Sequence, residues 1–137
     1  MSEKKIKFLI TTPEGAAVTN EVNWCVLPVV DGEWAIKYDH APVVLLLGQG
    51  TLRIKNDAWK YFHIKSGIAH VGNNEVNIIC DSAIDATELS AEELEKQLSE
   101  LLEQSPANAR EKSKLHKSVT EIKSKLYTLK QMQQASA

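Results

Sequence analysis

Glycine runs out at Gly72. All six glycines of this 137-residue chain, and seven of its eight aromatics, precede Asp85, while the last 52 residues hold no glycine, one proline (Pro106) and a dense run of Leu, Glu, Lys, Gln and Ala. Glycine punctuates turns between strands, whereas an unbroken stretch of strong helix formers folds as helix. Two kinds of structure are therefore joined, a compact β module over residues 1–85 and a helical appendage over residues 86–137.

Within the first part, short alternating or apolar runs recur with turn signals between them. Ile6, Phe8 and Ile10 alternate with polar neighbours up to Pro13-Glu14-Gly15, and Val22, Trp24 and Val26 run to Pro28 and the Asp31-Gly32 turn. Val43 to Leu47 gives way to Gly48 and Gly50, then Leu52 and Ile54 run to Asn56-Asp57. Trp59, Tyr61 and His63 alternate against Lys60 and Phe62. After Gly67, Ile68-Ala69-His70-Val71 meets the tight-turn sequence Gly72-Asn73-Asn74, and Val76, Ile78 and Cys80 close the series. Roughly eight to ten short strands with no intervening helix imply mostly antiparallel pairing in a two-sheet sandwich.

In the second part, Ser90-Ala91-Glu92-Glu93 fits a capping box ahead of an apolar stripe of Leu94, Leu98, Leu101 and Leu102. Ser105-Pro106 has the form of a second helix start. The stripe that follows, Leu115, Val119, Ile122, Leu126 and Leu129, steps by four, three, four and three, a narrow coiled-coil-like seam. An antiparallel hairpin follows. Charge separates its helices: residues 88–103 carry six acids and one base, and residues 110–130 carry seven bases and two acids. Either the opposite charges solvate and loosely pair the hairpin, or the basic helix leaves its partner for another acidic surface.

Composition excludes several functions. A net charge of −2 gives no whole-molecule attraction to nucleic acid or anionic lipid. The longest aliphatic run is far short of the ~20 residues that cross a bilayer. The opening Met1-Ser2-Glu3-Lys4-Lys5 leads into an alternating segment and not a signal-peptide core. Cys25 and Cys80 lie in apolar strand contexts without Cys-x-x-Cys spacing, as buried reduced thiols would, with a disulfide as the alternative reading. His40, His63, His70 and His116 show no metal-ligand pairing, and neither Ser66 nor Ser82 has a nucleophile-elbow context. No basic residues cluster around the three tryptophans in the sequence, so they read as core and sheet residues and not as base-stacking platforms. The chemistry points to an interaction protein.

The turns, taken in order, resemble a known family. Thr12-Pro13-Glu14-Gly15, Leu27-Pro28, Asp31-Gly32-Glu33, His40-Ala41-Pro42 and Gly50-Thr51-Leu52-Arg53 are similar to the epsilon subunit of F-type ATP synthase. Gly67-Ile68-Ala69-His70-Val71, Asn74-Glu75-Val76 and Asp81-Ser82-Ala83 continue the pattern, and the helical tail sits where that family has one. The resemblance implies an α+β, mostly β fold, with an antiparallel sandwich of about ten strands followed by the hairpin. It implies a non-catalytic rotor subunit of the central stalk, peripheral at the cytoplasmic face of a bacterial inner membrane. Its partners would be the gamma subunit, the ring of c subunits and the alpha/beta catalytic head, and its hairpin would restrain ATP hydrolysis. Nucleic acid and direct membrane insertion are not expected.

Site residues follow by position. Asp31, Gly32, Glu33 and His40 match the loop that faces the c ring. Tyr38-Asp39 stands where Pro-Gly is usual, and Ala35, Ser66 and His70 also depart from the pattern. Arg110, Lys112, Lys114, Lys117, Lys123 and Lys125 would turn toward the beta subunit. Ser90-Ala91-Glu92-Glu93-Leu94 matches an Asp-x-x-Arg-Ala segment through which some members bind ATP. Glu93 replaces the arginine with a negative charge, so no cofactor and no tight ATP site are expected. Two rival readings are a free-standing adaptor with a basic helix, and a small sandwich hydrolase using His63, His70 or Asp81.

Overall fold

A computed structural model describes residues 5–136; residues 1–4 and Ala137, the outermost ends of the two expected parts, lie outside the described residues. The strands are β1 (Ile6–Thr12), β2 (Gly15–Val22), β3 (Trp24–Val29), β4 (Gly32–Lys37), β5 (Val43–Leu47), β6 (Gly50–Lys55), β7 (Trp59–Ile64), β8 (Gly67–Gly72), β9 (Glu75–Cys80) and β10 (Ala83–Asp85). A 3₁₀ turn (Ala86–Glu88) leads to α1 (Ala91–Leu102) and α2 (Ala109–Ser136).

The strands form one continuous hydrogen-bonded path, β10-β7-β6-β3-β5-β8-β9-β1-β2, with β4 paired to β3. Only the pair Val29–Leu47 joins β3 to β5, so the path folds there into two layers. One layer is β10-β7-β6-β3-β4 and the other β5-β8-β9-β1-β2. Between them lies a single core that includes Phe8, Ile10, Val22, Leu27, Ile36, Leu52, Phe62, Ile64 and Ile78. The expected mostly β sandwich is present, with one departure. β1 runs parallel to β9, because the chain's first strand inserts between its ninth and its second.

Two local features needed the third dimension. Val22, Trp24 and Val26 do not share a strand or a face. Asn23 separates β2 from β3, so Val22 points into the core while Cys25 and Leu27, not Trp24 and Val26, line it from β3. The Asn73-Asn74 turn, by contrast, forms as expected. Both residues have positive φ (52° and 59°), the backbone of the two-residue hairpin that asparagine tolerates. Gly67 lies where a Cβ would collide with the Ile79 carbonyl oxygen, so β8 and β9 meet there without a side chain between them.

Ser90 caps α1, its Oγ accepting from the Glu93 backbone N–H at 3.4 Å. The second helix does not start at Ser105-Pro106. Asn108 caps it instead, accepting from Glu111 N–H at 2.9 Å, while the Glu111 carboxylate accepts from Ala107 N–H at 2.9 Å. A reciprocal cap satisfies two otherwise orphaned donors, which a serine before proline does not match here. The hairpin has its own apolar cluster: Leu94, Ile122 and Leu129, with Leu98, Leu101, Leu126 and Met132 packed against it.

Candidate functional site

α2 lies between α1 and the outer face of β6 and β7, and its two contact faces differ in chemistry. Toward α1 it presents the apolar seam. Toward the sandwich it presents Glu121, Ser124, Lys125 and Thr128. Core residues of β6 and β7 are Leu52, Ile54, Phe62 and Ile64, so alternation turns Thr51 and His63 outward, directly opposite each other across the strands. Thr51 Oγ1 and Thr128 Oγ1 share a hydrogen bond of 2.7 Å, both residues buried. His63 Nε2 and Ser124 Oγ lie 3.0 Å apart. Glu121 then bridges the two elements, 3.5 Å from Lys65 Nζ and 3.7 Å from Lys125 Nζ.

His63 is fully buried, and its Nδ1 has no hydrogen-bond partner among the described residues. Burial, and then the nearby Lys125 and Lys65 charges, lower its pKa to about 4 against the opposing pull of Glu121. It stays neutral at ordinary pH. Sequence reading had placed His63 on a strand without seeing this contact. The available signal was the hydroxyl row Thr120, Ser124, Thr128, spaced by four along α2, which marks a polar stripe beside the apolar seam.

The opposite outer face, on β5, β8 and β9, carries a bare apolar patch beside the exposed polar pair His70 and Asn77. Val44, Leu46, Ile68 and Ile79 are 60%, 66%, 42% and 64% exposed. Cross-strand pairing places Leu46 beside Ile68, and Ile68 beside Ile79, so they form one contiguous stripe. Isolated exposed aliphatics are ordinary, but a contiguous patch marks an interaction surface.

The tryptophans correct an expectation. Basic residues do gather around two of the three: Lys37 Nζ lies 4.2 Å from the Trp24 ring centroid, and Arg53 and Lys55 lie 5.3 and 5.6 Å from that of Trp59. Cross-strand register creates the cluster, setting Lys37 and Lys55 on either side of Trp24 and Lys55 opposite Trp59. The cations lie over the rings, and Arg53 also approaches Glu33 at 3.8 Å. The ladder thus holds its charge locally.

Of the expected ring-facing residues, Asp31 sits at the β3–β4 turn, and Gly32 and Glu33 are the first two residues of the exposed edge strand β4. His40 lies past the other end of that strand, its Nε2 accepting from Trp34 Nε1 at 3.3 Å. They lie along β4 and its two flanking turns, and His40 reaches back to Trp34, the residue after Glu33. Asp39, with φ of 62°, is fixed there by an N–H bond to Asn74 Oδ1 at 2.7 Å.

Arg110, Lys112, Lys114, Lys117 and Lys123 are exposed on α2, whereas Lys125 is half-buried against Glu121. Among the described residues no ion pair joins α1 to α2. Hydrophobic contact therefore holds the hairpin, and its basic charges face outward. Glu93 is exposed in the first turn of α1. His63, His70 and Asp81 do not assemble: His63 lies under α2, His70 faces out from β8 in the other layer, and Asp81 lies in an exposed turn. The hydrolase reading loses its residues. Cys25 and Cys80 are free and buried, burial pushing the Cys25 thiol up to about 12. No group of His, Cys, Asp and Glu suited to a metal ion occurs among the described residues.

Residues 5–86 match the family model described as "ATP synthase, Delta/Epsilon chain, beta-sandwich domain". The ATP synthase epsilon chain of Lactobacillus gasseri is 34% identical over 95 residues, covering 66% of this chain and 65% of that one. The epsilon chain of Helicobacter pylori is 36% identical over 80 residues, 58% of this chain and 65% of its own. The matched segments thus span a little under two thirds of these relatives. In the Euglena gracilis mitochondrial ATP synthase (OSCP/F1/c-ring, rotational state 1), one chain has the same fold, with a TM-score of 0.72 at 21% identity over 98% of this chain and 82% of that one. A chain of the Tetrahymena thermophila mitochondrial central stalk and c-ring gives 0.63 at 18% identity, covering 92% of this chain and 99% of its own.

Proposed function

The chain belongs to the ATP synthase delta/epsilon family through its sandwich domain, and from that premise we propose that it is the epsilon-type subunit of the rotating central stalk. The observation that carries the reading is the bare apolar stripe of Val44, Leu46, Ile68 and Ile79 on the face away from the hairpin. Such a surface on an otherwise well-packed domain calls for a permanent partner, which we assign as the gamma subunit. The β4 edge with Asp31, Gly32, Glu33 and His40 would rest on the c ring.

The subunit itself makes and breaks no bonds. It transmits rotation between the ion-driven ring and the catalytic head, and residues 1–85 and 86–137 act as a docking domain and a regulatory one. The hairpin, folded here on the sandwich, extends toward the alpha/beta head in its second state, where Arg110, Lys112, Lys114, Lys117, Lys123 and Lys125 meet acidic surface of the beta subunit and restrain ATP hydrolysis. Glu93 in the first turn of α1 disfavours bound phosphates, so ATP does not latch the hairpin. No described helix is long and apolar enough to cross a membrane, which fits peripheral attachment at the cytoplasmic face of a bacterial inner membrane.

Deletion of residues 87–137 tests both halves of the proposal. The truncated sandwich is expected to co-purify with gamma, alpha and beta subunits, and ATP hydrolysis by the assembly is expected to rise. Loss of all partner binding would favour the adaptor reading. Unchanged hydrolysis would reduce the hairpin to a packing element.

A further inference from the structure

We propose that the contact between α2 and the outer face of β6 and β7 is an acid-released latch with His63 as its sensor, freeing the basic helix when protonated. This deepens the regulatory reading of the hairpin and rests on it. His63 is fully buried between the layers of contact, bonded to Ser124 through Nε2 while Nδ1 has no partner among the described residues. A neutral imidazole needs only one donor satisfied, and either tautomer pairs with a hydroxyl. Protonation makes both ring nitrogens donors, and Nδ1 makes no hydrogen bond to any described residue in the closed contact.

The surrounding charges oppose the proton as well. From the residue just after β7 comes Lys65, and from α2 come Glu121 and Lys125, leaving the cluster one positive charge in excess before His63 ionises. From β6 comes the neutral Thr51, bonded to Thr128 of α2. From β10, Ile84 lies opposite His63, and the next residue, Asp85, has a carboxylate oxygen already accepting from Thr87 N–H and Oγ1. Glu88 of the 3₁₀ turn is exposed. The one carboxylate within reach, Glu121, is shared by two lysines, and so it does not neutralise a third cation.

The direction follows from linkage. With α2 docked the pKa of His63 lies near 4, and with α2 released it returns toward 6.5. The docked state therefore has its full stability above pH 6.5 and loses it progressively as pH falls toward 4. Between pH 7.5 and 5.5 the docking equilibrium shifts about tenfold toward release.

Spin labels at Glu14→Cys on the sandwich and Lys112→Cys on α2 read the docked population in the full chain, since Cys25 and Cys80 are buried. The native residue 63 should show the roughly tenfold shift between these pH values, and His63→Gln, which keeps a hydrogen-bonding partner for Ser124 without titrating, should give a flat profile. A flat native profile, or an unchanged shift in His63→Gln, overturns the latch. Should His63→Gln release α2 at every pH, the His63 ring resonances of the native chain decide: a midpoint below 5 supports the proposal, and one near 6.5 overturns it. Because these readouts measure docking and not hydrolysis, failure of the inhibitory reading would leave their outcome intact.

Discussion

The two outer faces of the sandwich are opposite in chemistry and opposite in cover. On β6 and β7 the face that α2 covers is polar, with Thr51 and His63 and, just past β7, Lys65. On β5, β8 and β9 the face carries the apolar patch of Val44, Leu46, Ile68 and Ile79, yet no described residue covers it. Burial of apolar area stabilises by about 25 cal/mol per Å², so an apolar face is where a lasting contact gains most. A polar contact exchanges water for protein partners and nets only about 0.5–1.5 kcal/mol per hydrogen bond. The bare face is thus suited to a permanent external partner, and the covered face to one that leaves.

The hairpin extends the same contrast to its own seam. If α2 is joined to α1 by apolar packing and to the sandwich by polar contacts, Leu94→Ala should injure the hairpin alone. Truncating a buried leucine costs about 2–5 kcal/mol. Hydrogen exchange in α1 and α2 should accelerate accordingly, while β1, β6 and β9 keep their protection. Equal loss of protection in the strands would mean that the two parts form one cooperative unit, and the contrast would collapse.

A smaller effect is expected at the latch. Thr128→Val keeps shape but strands the Thr51 hydroxyl, which should weaken docking by about 1–3 kcal/mol. Adding Thr51→Val removes both partners, and a double-mutant cycle should recover most of that loss. No recovery would show that the threonine pair is not a coupled contact.

Much of this architecture was legible in the sequence, and what was not has a common cause. Ile6, Phe8 and Ile10 and the Asn73-Asn74 turn are local patterns, and both were read correctly. The parallel β1–β9 ladder, the Asn23 corner and the Lys37, Arg53 and Lys55 ladder over the tryptophans arise from register between distant strands. The latch is the extreme case. His63 and Ser124 are 61 residues apart and Thr51 and Thr128 are 77 apart, so no window along the chain contains both partners. Alternation in β7 did place His63 on the face of Trp59 and Tyr61. It left open which face the core would take, since Phe62 and Ile64 compete with equal apolar weight and win.

The least perturbing test falls on the bare face. Leu46 is 66% exposed and lies outside the buried core, so Leu46→Lys should change stability by less than about 0.5 kcal/mol in a urea titration. Its effect on assembly should be much larger than its effect on folding. A lysine ammonium placed in the centre of an apolar interface must be desolvated without a counter-charge, which costs several kcal/mol. Co-purification with the stalk should therefore fail while the isolated subunit remains folded. Paired with Thr128→Val, which should weaken hairpin docking and leave stalk binding intact, the substitution separates the two faces. If Leu46→Lys binds the stalk as tightly as the native chain, the apolar stripe is not the docking surface.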